Sequence, residues 1–128
     1  MAYVLGAASR RLVSFPTRKG QRGDTSSSFL YIISEGEHGP VKVGRSRNPG
    51  ARISELQTGN ARRLRVVVTY EFTHNEACDA ERLLHEALSE FALAGEWFDV
   101  DEKFMAEYMP DFFLSEGLEP KNGAHPID

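Results

Sequence analysis

Apolar side chains come in short runs between polar, glycine-bearing turns through the middle of this chain, and at helical spacing further on. Phe29 to Ile33 is a compact run of strand length, and after the turn SEGEHGP the segment Val41-Lys42-Val43 resumes with strand alternation. Asn48-Pro49 is a helix start, with Asn48 as N-cap and Pro49 at the first helical position, so a short helix is predicted from Pro49 to Gln57. Thr58-Gly59-Asn60 stops it. Leu64 to Phe72, rich in β-branched and aromatic residues, reads as a third strand. Thr73 to Glu76 fits a capping box, and Ala77, Ala80, Leu84, Ala87, Leu88 and Phe91 follow at helical spacing. This principal helix is predicted to end at Ala94-Gly95. Glu96-Trp97-Phe98 then returns the chain to the core, and Asp101 caps a last helix predicted to stop at Pro110.

Around this frame, residues 1–28 end in GQRGDTSSS and read as a flexible basic arm, residues 29–115 as one domain, and residues 116–128 as a loose tail. A chain of 128 residues can bury a real core without disulfides or structural metal. Cys78 is the single cysteine, so no internal disulfide forms, and the expected setting is reducing and cytoplasmic. No apolar run approaches the length of a membrane span, and no membrane partner is expected.

Charge changes the picture through its distribution. The net charge is −4, yet residues 42–65 carry seven basic side chains against Glu55, and residues 1–28 carry five against Asp24. From Glu71 onward fifteen acidic residues face Arg82, Lys103 and Lys121. One half suits a polyanion and the other repels it. Arg45, Arg47, Arg62, Arg63 and Arg65 are therefore expected to follow a nucleic-acid backbone, with the acidic helices facing away. Gly44 is expected to let backbone or phosphate come close.

If the first two strands pair antiparallel, Tyr31 and Lys42 lie near one another, with Arg52 just beyond. Glu81 and His85, four residues apart, share one helix face at the border of the apolar stripe. On residue type alone, Tyr31 is a core aromatic, Arg52 and Glu55 a surface pair, and Glu81 and His85 another. Trp97 and Phe98 read as core and Glu96 as structural. A zinc site from His74, Cys78 and His85 is disfavoured, because no paired-cysteine spacing accompanies them.

Phe29-Leu30-Tyr31, Lys42-Val43-Gly44, Arg52, Ala80-Glu81-Arg82-Leu83-Leu84-His85 and Gly95-Glu96-Trp97-Phe98, taken in order, resemble the GIY-YIG nuclease superfamily. The likeness is to its small phage and bacterial branch, with a lysine-x-glycine second motif and a glutamate-tryptophan-phenylalanine ending. It implies an α+β fold, a three-stranded antiparallel sheet flanked by helices. It also implies a metal-dependent endonuclease acting on nucleic acid, DNA in preference to RNA, with Mg²⁺ or Mn²⁺. By the same resemblance Glu81 holds the ion, Arg52 the scissile phosphate, Tyr31 helps activate water, and His85 relays a proton or supports the ion's hydration; Lys42, standing where the motif has its second tyrosine, is the nearby cation expected to lower the phenol's pKa. Phe29, Lys42 and Leu56 depart from the pattern, standing where the motif has glycine, tyrosine, and histidine or tyrosine. A non-catalytic DNA- or RNA-binding module on the same fold is the alternative. A protein-interaction domain whose basic partner docks on the acidic half is the third reading.

Overall fold

The computed structural model describes residues 26–121 and 124–126. The predicted apolar runs become β1 (Ser27–Glu35), β2 (Val41–Ser46) and β3 (Leu64–Thr73), and the chain adopts the expected α+β class. The three helices are α1 (Pro49–Thr58), α2 (His74–Ala87) and α3 (Glu102–Glu116). Two short edge strands, β4 (Trp97–Phe98) and β5 (Ala124–Pro126), enlarge the expected three-stranded sheet to five, in the order β4-β2-β1-β3-β5 with every pair antiparallel. The expected basic arm lies outside the described residues except at its end, where Ser27 and Ser28 open β1.

Local chemistry accounts for the helix starts. The side chains of Asn48, Thr73 and Asp101 accept hydrogen bonds from the backbone N–H groups of Ala51, Glu76 and Phe104, satisfying donors that the first turn leaves free. Two helix ends differ from expectation. The principal helix stops at Ala87, and Ser89–Phe91 form a turn of 3₁₀ helix. There the backbone turns to a new partner, with Leu93 N–H donating to Trp97 O (2.8 Å) and Asp99 N–H to Phe91 O (2.8 Å). The last helix runs through Pro110 to Glu116. Proline removes one intrahelical hydrogen bond there, but Phe112 and Phe113 beyond it are buried, and that burial offsets the loss. Gly117, at φ 69°, closes the helix in the left-handed conformation, and Leu118 from the expected tail joins the core.

The sheet has two unequal faces. Leu30, Ile32, Val41, Val43, Tyr70 and Phe72 pack under α2 and α3 in the main core. Tyr31, Ile33 and Leu64 form a smaller cluster on the other face, under Ile53 and Leu56 of α1 and beside Trp97.

Candidate functional site

Register decides what meets what. In the β1–β2 ladder Tyr31 stands opposite Gly44, and Lys42 opposite Ile33, so the two candidate side chains are diagonal neighbours on the α1 face. Gly44 is needed for Tyr31 itself: a Cβ at position 44 would lie 2.4 Å from the phenol oxygen and 2.6 Å from Cζ. The expected approach of a phosphate to that glycine gives way to this packing. Tyr31 is 1% exposed, and its hydroxyl is hydrogen-bonded by the side chain of Arg52. Burial pushes the phenol above its ordinary pKa and outweighs the opposing effect of Arg52, so Tyr31 keeps its proton at neutral pH.

The edge of β2 assembles the acidic part of the site. β4 is only two residues long and pairs with β2 at Val41 and Lys42. At the next position, Val43 donates its N–H to Glu96 O (3.2 Å), while its carbonyl lies 2.8 Å from His85 Nε2. One residue of β2, just beyond its pairing with β4, thus holds both the loop carrying Glu96 and the ring of His85. A carbonyl can only accept, so His85 Nε2 carries the hydrogen and Nδ1 of the neutral ring keeps its lone pair. Glu81, one helical turn before His85, completes a group in which one ligand atom from each of Glu81, His85 and Glu96 lies within 4.8 Å of the others.

These three residues fit a divalent ion. Two carboxylates and an imidazole are suitable donors, and an imidazole whose other nitrogen donates to a backbone carbonyl is oriented as metal-binding histidines usually are. Burial raises the Glu81 carboxyl above the usual carboxylate pKa; the charge of Glu96 adds to the rise, and Arg45 and His85 oppose it. Two mutually repelling acids in a half-buried site favour a dication between them.

The cations are distributed unevenly. Lys42 Nζ sits 3.3 Å from Glu96 and 5.8 Å from the centre of the Trp97 ring. Arg45 Nε is 3.1 Å from Glu81, and Arg52 is 3.0 Å from Glu55. Arg47 reaches Ser26. Arg62 and Arg63 lie exposed on the loop after α1, which Gln57 staples by donating to Asn60 O and Arg62 O and accepting from Leu64 N–H. Arg65 is elsewhere, paired with Glu102 at the start of α3 on the main-core face.

Sequence reasoning brought Tyr31, Lys42, Arg52, Glu81 and His85 forward and missed Glu96. The available signal was its position directly before two core aromatics, but its partner Lys42 becomes visible only once β4 is paired to β2. The acidic half also does not simply face away, because Glu81 and Glu96 stand among the cations. His74 and Cys78 are neighbours, with 3.6 Å between Nε2 and Sγ, but belong to no larger group of metal ligands among the described residues. Nor does any helix among those residues have the length and apolarity to cross a membrane.

A family model described as the T5orf172 domain matches residues 28–111, well over half of the chain. No curated protein and no solved structure matches. The chain belongs to the T5orf172 domain family, a GIY-YIG-like, nuclease-related domain.

Proposed function

We propose that this T5orf172-domain protein is a metal-dependent endonuclease of the GIY-YIG type, hydrolysing phosphodiester bonds in nucleic acid, DNA in preference to RNA. The observation that carries the reading is the meeting of Glu81, His85 and Glu96 at the β2 edge, beside Lys42, Arg45 and Arg52. A divalent ion such as Mg²⁺ or Mn²⁺, held by these three residues, would supply Lewis acidity toward a phosphoryl oxygen and a more acidic bound water.

The chain's own residues do the rest. Arg52 offers a planar fork to the scissile phosphate, and Tyr31, protonated and buried, orients that fork. Tyr31 is thereby a positioning residue, a different part from the water activation expected of it. Lys42 and Arg45 place positive charge where negative charge develops on the phosphoryl oxygens. The ring of His85 is held at Nε2, leaving Nδ1 for the ion. Arg62 and Arg63 extend the contact along the backbone, whereas Arg65, spent on Glu102, does not.

A non-catalytic nucleic-acid-binding module is the second reading. It is favoured by the closure of the site, with Tyr31 nearly inaccessible and Lys42, Arg45 and Arg52 each paired to a carboxylate. Labelled single- and double-stranded DNA and RNA, incubated with Mg²⁺, Mn²⁺ or EDTA, separate the two. Cleavage that needs the dication and disappears in Glu81→Gln, at an unchanged melting temperature, is the expected result. Binding without cleavage under every condition leaves the module.

A further inference from the structure

Each of the three cations nearest the candidate metal site is already occupied by a carboxylate, but the three pairs are not equivalent. Glu55, the partner of Arg52, is exposed on α1 and takes no part in the ligand cluster. Glu96 and Glu81, the partners of Lys42 and Arg45, are two of its three members. A carboxylate held by an ammonium or guanidinium is a poorer ligand for a dication, and a guanidinium held by a carboxylate has fewer N–H groups for phosphate. Lys42 is 8% exposed, so its charge needs an anionic partner at all times, and the only question is which one.

We propose that Glu96 and Glu81 stand in for nucleic-acid phosphates on Lys42 and Arg45, and that dication and polyanion exchange these partners in one step. Uptake of the ion draws the carboxylates away and releases the two cations toward phosphate; arrival of phosphate engages the cations and releases the carboxylates toward the ion. Dication and nucleic acid therefore bind with positive, reciprocal coupling. Arg52, whose carboxylate lies outside the cluster, is not part of the exchange. The inference rests on the metal-binding reading above.

Simple attraction between a bound dication and phosphate would also favour joint binding, and the two causes differ in which cations matter. Exchange requires Lys42 and Arg45; field attraction does not. The test measures the affinity of a short labelled DNA duplex in EDTA and in Mn²⁺ at constant ionic strength, with duplex integrity checked on a denaturing gel. The proteins compared are wild type, Lys42→Gln, Arg45→Gln, Arg63→Gln and the double variant Glu81→Gln/Glu96→Gln. Mn²⁺ should tighten wild-type binding by about 5-fold or more relative to the double variant, the lower end of typical coupling between sites. Lys42→Gln and Arg45→Gln should each shrink that ratio to about 2-fold or less. Arg63→Gln, which removes the same charge from the exposed loop, should weaken binding and keep the ratio. An undiminished ratio in folded Arg45→Gln and Lys42→Gln overturns the exchange; Arg45, at the surface, serves if Lys42→Gln proves unstable. Calorimetric titration of wild type with Mn²⁺ distinguishes the failures. No Mn²⁺ binding with or without duplex sinks the metal site and the exchange together, whereas Mn²⁺ binding with a ratio near one sinks the exchange alone.

Discussion

The two faces of the sheet bury very different amounts of apolar side chain. Among the described residues, eighteen form the core under α2 and α3, against three in the cluster under α1. The larger core supplies most of the stability, and α1, none of whose residues is fully buried, is the more weakly held helix. Yet the thin face carries Tyr31, Lys42 and Arg52, and the acidic cluster lies at the β2 edge where the faces meet. The thin layer leaves Arg52 near solvent, and the thick one beneath it supports the strands that carry Tyr31 and Lys42.

That contrast can be broken first by removing the thick core. Phe72→Ala, at a fully buried site in edge-to-face contact with Phe113, should destabilise by about 3–5 kcal/mol, against about 1 kcal/mol for Ile53→Ala in half-buried α1. Denaturant unfolding checks both; equal losses would mean that the two faces contribute alike. On the proposed nuclease reading, the folded fraction of Phe72→Ala should cleave with the specific activity of wild type.

Gly44→Ala sharpens the comparison from the thin side. The added methyl forces the Tyr31 ring out of place, at a cost of about 1–3 kcal/mol. On the proposed nuclease reading, in which the phenol orients Arg52, cleavage should fall by about 10²-fold in protein that remains folded. Steady-state rates beside thermal melts read this directly. A loss of stability with full activity would make Tyr31 a packing residue alone.

The smallest effect concerns pH and the thick face. Burial pushes the Tyr70 phenol up to about 12, from an ordinary value of 10.0. Its proton is held more tightly in the folded than in the unfolded chain, so its contribution to stability is complete below pH 10 and is lost as pH rises toward 12. The loss should stay under about 1 kcal/mol just above pH 10. Melting temperatures across that window should fall less steeply in Tyr70→Phe than in wild type. Identical slopes would refute the assignment to Tyr70.

The amino-acid sequence by itself determined where the long strands and helices begin, because caps and periodicity act within about one turn or a few residues of strand. Asn48, Thr73 and Asp101 each cap the helix they were expected to start. Where an element should stop was less legible: Pro110 breaks isolated helices, but burial of Phe112 and Phe113 carries this one onward, and the principal helix ends early because the chain bonds instead with residues 97–99. The candidate site divides in the same way. Tyr31, Arg52, Glu81 and His85 stood out by type and order. The closure of Gly44 on Tyr31, the diversion of Arg65 to Glu102 and the arrival of Glu96 beside Glu81 and His85 were decided by tertiary structure. Each depends on strand register or on packing between elements distant in sequence, and no local rule acts over that range; the pairing of a two-residue edge strand with β2 brings Glu96 to its place.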